Sequence, residues 1–122
     1  MKHRRSELTR TRIVTAARAL FLERGFEATS VAEICRASGV SNGALFHQFA
    51  VKEDIGFAVY SEIRLEFWDK VISAMTAESV PLDGIEAATR AALDFQREQP
   101  GAAAYLFDVS GSKWIERYVD AA

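Results

Sequence analysis

This 122-residue chain has one cysteine, two prolines and no long apolar run. The lone thiol, Cys35, excludes an internal disulfide and a thiolate metal cluster. It sits in an apolar helical pattern with no histidine nearby, and so reads as a small core residue. No apolar stretch approaches the roughly 20 residues that cross a bilayer. The basic start is not followed by the apolar segment of a signal peptide. No membrane partner is expected, and a cytoplasmic protein is. With so few prolines and no sustained polar/apolar alternation, the chain offers no strands and is expected to be all-α. The two histidines, His3 and His47, lie far apart, there is no glycine-rich phosphate loop, and no Ser/His/Asp or Cys/His set forms. An enzyme is not expected, nor a metal or a cofactor.

Hydrophobic residues make up 49% of the chain, enough for a packed fold. The net charge of -2 hides a division. Residues 1–50 hold eight Lys or Arg and four Glu, or +4, while residues 51–122 hold seven basic and thirteen acidic residues, or -6. A basic head on an acidic body suits a polyanion that meets the head alone.

Apolar residues recur every three or four positions. A first helix is expected from about Ser6 to Arg24, with Leu8, Ile13, Ala16, Ala17, Leu20 and Phe21 on one face. Gly25 stops it, and Phe26 turns into the core. Ser30 and Glu33 have capping-box spacing for a second helix to about Ala37, with Thr29 as the rival cap. Gly39 permits a sharp turn, and Ser41 caps a third helix from about Asn42 to Phe49, whose buried pair is Leu45 and Phe49. Two short helices joined by a four-residue, Gly-containing turn form a helix-turn-helix. A long fourth helix runs from Lys52 to about Thr76. Ile55, Val59, Ile63, Phe67, Val71 and Met75 form its stripe, which Phe57, Tyr60, Trp68 and Ile72 widen. A fifth helix follows from about Asp83 to Glu98, then a short apolar one from about Ala102 to Val109, then an amphipathic piece from Ser112 carrying Trp114, Ile115, Tyr118 and Val119. The boundary falls between a head, 1–51, and a helical body, 52–122.

RIVTAARALFLERGFEATSVAEI at 12–34 and ASGVSNGALFHQFAVKEDI at 37–55 resemble the TetR family of bacterial repressors. The resemblance spans residues 10–60. It rests on the Ile-x-x-Ala-Ala spacing, Gly25-Phe26, the Thr29 helix start, Gly39-Val40-Ser41, the Leu45–Phe49 aromatic patch and Lys52. It implies a three-helix DNA-binding head joined by the fourth helix to a ligand-binding and dimerisation body. It also implies a homodimer that represses a promoter until a small molecule binds. Phe46 stands where the family usually has Tyr, so one hydroxyl donor to phosphate is missing, and Gln48 stands where it usually has His, with an amide that can still donate. The family's last two helices have no counterpart before Ala122, so the body is expected to be partial and residues 1–122 to dimerise weakly.

A recognition helix places its N-terminal residues at base edges. Here these are Ser41, Asn42, Gly43 and Ala44. The amide of Asn42 suits a bidentate pair with adenine, and the small Gly43 and Ala44 allow close approach. Ser41 either reads DNA or only caps the helix. His47 projects on the same side, and Phe46 and Gln48 fall on the same helix. Thr29 and Lys52 are candidates for phosphate contact. Lys2, Arg4 and Arg5 are read as a flexible basic arm for phosphates or the minor groove. Phe67, Trp68, Phe95, Tyr105, Phe107 and Trp114 either line a pocket for an apolar or aromatic effector or are simply core. The expected partners are double-stranded operator DNA, a small effector and a second copy of the chain. The alternative is a helical interaction module that keeps the fold without binding DNA.

Overall fold

The computed structural model describes residues 2–119, and these form seven α-helices with no strand. They are α1 (Lys2–Arg24), α2 (Val31–Ser38), α3 (Asn42–Gln48), α4 (Lys52–Thr76), α5 (Pro81–Glu98), α6 (Pro100–Ser110) and, after a 3-10 turn at Lys113–Ile115, α7 (Glu116–Val119). Residues 120–122 of the expected body lie outside the described residues.

Lys2, Arg4 and Arg5 belong to α1 rather than to a flexible tail. Lysine and arginine are good helix formers, and no glycine or proline separates them from Ser6. The helix therefore runs back past the expected start. It ends as expected, with Gly25 in the left-handed region at φ 89° and its N–H donating to the Phe21 carbonyl. Leu8, placed on the buried face by periodicity, is exposed, because the core begins at Ile13.

Ile13, Val14, Ala17 and Phe21 of α1 pack with Ile34, Val40, Leu45 and Phe49 to build the head. Burying each large side chain stabilises by roughly 1.5–3 kcal/mol. The core continues without a break through Ile55, Val59 and Ile63 of α4 to Phe95, Tyr105, Val109 and Ile115. Along the α4 stripe Ile55, Val59, Ile63 and Val71 are buried and Phe67 is half-buried, but Met75 is exposed, as are Trp68 and Ile72. Both α5 and α6 begin at a proline, each two residues before the expected start. Proline suits the first helical position, where its missing N–H has no partner to lose. Leu65, Leu82, Ile85, Leu93 and Phe107 stay exposed on α4, α5 and α6.

Polar ties fix α4 to its neighbours. Arg18 on α1 donates to Glu62 at 2.6 Å and to both carboxylate oxygens of Glu66 at 2.8 Å. Hydrogen bonding to Arg18 holds the Glu66 carboxyl below its ordinary pKa, and the same pair raises that of the guanidinium. All three tyrosines of the chain serve one joint. Tyr60 shares a 3.2 Å hydrogen bond with Ser110, Tyr105 donates to the Gly56 carbonyl at 2.7 Å, and Tyr118 donates to Asp54. Gly56 lies under Phe26 and Trp114, where a Cβ would sit 2.8 Å from each ring. Phe26 and Trp114 stack at 4.7 Å, and Phe57 and Tyr118 at 4.5 Å. The last described residues thus clamp the start of α4 to the turn after α1.

Candidate nucleic-acid interface

The helix-turn-helix is held by local chemistry as much as by its core. The Ser30 hydroxyl accepts from the Glu33 N–H, and the Glu33 carboxylate accepts from the Ser30 N–H, both at 3.1 Å, which completes the capping box. Hydrogen bonding from the Ser30 backbone keeps the Glu33 carboxyl below its ordinary range. Gly39 adopts φ 71°, and its N–H donates to the Cys35 carbonyl at 2.9 Å. Val40 turns inward. Ser41 then caps α3, accepting from the Ala44 N–H at 3.1 Å. Leu45 and Phe49 are buried beneath α3, as the spacing required.

This leaves Ser41, Asn42, Gly43, Phe46 and His47 exposed, with Ala44 half-buried between them. The Ser41 hydroxyl is engaged as the cap. Cys35 is half-buried rather than deep in the core, and its thiol donates to the Asn42 side-chain oxygen at 3.8 Å, a long sulfur contact. Among the described residues the Asn42 amide nitrogen has no partner. Asn42 can therefore present a donor outward while its base is steadied from α2.

Three expected phosphate donors are differently employed. Thr29 is 1% exposed, and its hydroxyl donates to the Gly25 carbonyl at 2.9 Å. A threonine that follows a glycine turn satisfies that turn before it can reach DNA. Lys52 is half-buried, donates to the Phe26 carbonyl at 2.6 Å and sits 4.1 Å from the Phe26 ring centroid. A cation opening a helix, otherwise disfavoured by the dipole, is explained here by that carbonyl and ring. The Gln48 amide donates to Ser6 at 2.6 Å and so ties α3 to α1.

The early α1 residues, read as an arm, instead flank α3. His3, Arg5, Ser6 and Thr9 border a shallow depression with Ala44, His47 and Gln48. Arg5 and His47 are thus brought together on one edge, with Arg4 exposed beside them on the same helix. Two basic residues escaped sequence reasoning. Arg36 is exposed on α2, and Arg10 lies 4.6 Å over the Phe49 ring. Arg10 precedes the core residue Ile13 by three positions, close to one helical turn. That spacing was the available signal.

The six aromatic residues proposed as one pocket divide. Phe67 packs between Phe95 at 5.2 Å and Trp68 at 5.3 Å where α4 meets α5. Phe95 is buried, whereas Trp68 is 46% exposed. Tyr105 and Trp114 lie far along α6 and beyond it, against Phe21 and Phe26. Phe107 is 81% exposed. Helical spacing cannot show which side of α6 meets the core, and Phe107 lies on the other side.

Known proteins share this arrangement. Residues 13–59 match the bacterial regulatory proteins of the tetR family. The chain is 36% identical over 77 residues to the HTH-type transcriptional regulator UidR of Escherichia coli, covering 63% of this chain and 36% of that protein. It is 44% identical over 46 residues to the HTH-type transcriptional repressor KstR2 of Rhodococcus jostii, covering 38% of this chain and 22% of that protein. Among solved structures, it superposes on a tetR family transcription regulator from a Shewanella species with a TM-score of 0.77 and 30% identity, covering 91% of this chain and 59% of that one. It also superposes on a gamma-butyrolactone receptor, an ArpA-like protein, with a TM-score of 0.67 and 28% identity over 88% of this chain and 56% of that one. The chain spans little more than a third of UidR and about three-fifths of the Shewanella protein.

Proposed function

Because this chain belongs to the TetR family of bacterial regulatory proteins, we propose that it is a sequence-specific repressor that reads operator DNA through α3 and is released by a small apolar or aromatic ligand. The carrying observation is the exposed Ser41–Gly43 start of α3, rigidly capped and mounted on a buried Leu45–Phe49 pair. Asn42 is the base reader, with Gly43 and Ala44 allowing the helix to seat deeply. Arg4, Arg5, Arg36 and His47 face phosphate, while Thr29, Gln48 and Lys52 act indirectly by holding the head in shape. Phe46 supplies an apolar surface and no hydroxyl.

A single helix-turn-helix reads few base pairs, so the regulator works as a homodimer on half-sites roughly 34–36 Å apart. The effector is the kind of molecule an aromatic-rich body accepts. The setting is the cytoplasm, where DNA is found; no helix among the described residues is long and apolar enough to cross a membrane. The test is titration against the DNA upstream of the protein's own gene, at several salt concentrations. Binding that weakens steeply with salt is expected, since phosphate contacts release counterions. No binding at low salt would overturn the reading.

A further inference from the structure

His3 and His47, the two histidines of the chain, are far apart in sequence yet border one depression between the first turns of α1 and α3. Both are exposed. Arg5, Ser6, Thr9, Ala44 and Gln48 complete the rim, and no carboxylate lines it. The 2.6 Å hydrogen bond from Gln48 to Ser6 ties the two walls together, so both imidazoles stay on one site. The charges around it are mostly of one sign. α1 adds the exposed Arg4 and Arg10, and α2 adds the exposed Arg36. α3 carries no acid. Glu7, one turn beyond His3, is exposed and enters no ion pair among the described residues. The other nearby carboxylates are occupied: Glu33 of α2 by Ser30 and Arg24, Glu62 and Glu66 of α4 by Arg18, and Asp54 by Tyr118.

We propose that His3 and His47 are a proton-linked pair: each takes up a proton as DNA phosphate seats at this depression, so operator affinity rises as the pH falls from 8 to 6. This deepens the repressor reading above and rests on it. Imidazole is the side chain whose charge ordinarily changes between pH 5 and 8. Once charged, each histidine is a cation beside Arg5, on a rim that offers it no acid. Phosphate supplies the missing anion and so favours the charged form. The sign follows from linkage. The DNA-bound state holds more protons than the free state, so acid drives binding, and DNA must strengthen proton binding by the same factor. His47 shares α3 with Asn42, so the surface that reads bases also senses pH.

The test is fluorescence anisotropy of labelled upstream DNA with the full chain at pH 8 and pH 6, each over a range of salt. Binding about tenfold tighter at pH 6 is expected, with a salt slope steeper by up to about two, one for each added phosphate contact. His3→Gln and His47→Gln should each remove about half of that gain on a logarithmic scale, and the double variant should bind alike at both pH values. Thermal melts at both pH values show that the variants stay folded. Equal affinity of the parent at the two pH values overturns the proposal, and so does a gain that survives in the double variant. A gain abolished by His47→Gln alone also overturns it, since His3 would then be idle. Proton NMR of the two imidazoles, with and without inorganic tripolyphosphate, gives a reading independent of DNA. Both titration midpoints should rise with the anion, and unmoved midpoints overturn the pair. Upstream DNA that binds at neither pH refutes the repressor reading instead, while the NMR titration still decides the pair.

Discussion

The Tyr105 hydroxyl donates to the Gly56 carbonyl at 2.7 Å across 49 positions of sequence, in a buried contact. The pair joins α6 to the first turns of α4. It lies at Gly56, over which Phe26 and Trp114 both press on the α4 backbone. Removing either partner should therefore affect the whole joint.

Tyr105→Phe keeps the ring stacked on Phe21 and deletes only the hydroxyl. The expected cost is about 0.5–1.5 kcal/mol, the net worth of an ordinary hydrogen bond. Gly56→Ala should cost more, about 1–3 kcal/mol, because neither ring can retreat from the added methyl without repacking. Urea denaturation of the two variants checks both the sizes and their order.

The joint should also weaken in alkali. Burial first, and the Asp54 carboxylate second, push the Tyr118 hydroxyl from its ordinary 10 up to about 12. A raised pKa means the folded state holds a proton that the unfolded state releases. This contribution is complete below pH 10 and disappears as the pH rises towards 12. Stability measured through that window should fall in the parent and fall less in Tyr118→Phe.

Asn42→Ala is expected to cost about 1–3 kcal/mol on the operator and little on random DNA, relaxing specificity at one base pair. Its melting temperature should stay near the parent's, since Asn42 is exposed. Equal losses on both DNAs would remove it as the base reader.

Lys52→Met tests the opposite assignment. It keeps an apolar stem over Phe26 and deletes the ammonium that donates to the Phe26 carbonyl. Stability should drop by roughly 1–2 kcal/mol, towards the low end for a charged hydrogen bond that is only half-buried. A phosphate contact would instead leave stability intact and lower the salt slope of DNA binding by about one.

The head was legible because its signals are local. Ser30–Glu33, Gly39 and Ser41 each act within four residues, so the capping box, the left-handed turn and the α3 cap could be read directly from spacing. The start and end of α4 followed from periodicity in the same way. What escaped depends on which groups meet in space: Lys52 and Gln48 find acceptors 26 and 42 positions away, and Thr29 turns back on the residue four before it. Thr29, Lys52 and Gln48 look like donors available to DNA until Gly25, Phe26 and Ser6 are seen to accept from them. The aromatic residues of the body suggested one pocket because composition carries no direction. Phe107 and Tyr105 are two residues apart and differ from exposed to buried. The prolines carry a further lesson: the helices were expected to start at Asp83 and Ala102, yet Pro81 and Pro100 open them.

The tyrosine clamp also dictates an order of assembly. Its hydrogen bonds link residues 49, 50 and 64 positions apart, whereas the caps of α2 and α3 close over three. Long closures cost chain entropy before they return any contact, so they form late. On a ribosome, the helix-turn-helix emerges and shapes itself while the Phe26 ring and the Gly56 backbone still wait for Trp114. Until the segment carrying Trp114 and Tyr118 leaves the exit tunnel, the nascent head has its fold but an uncovered apolar seam, and a chaperone would meet the protein at that seam.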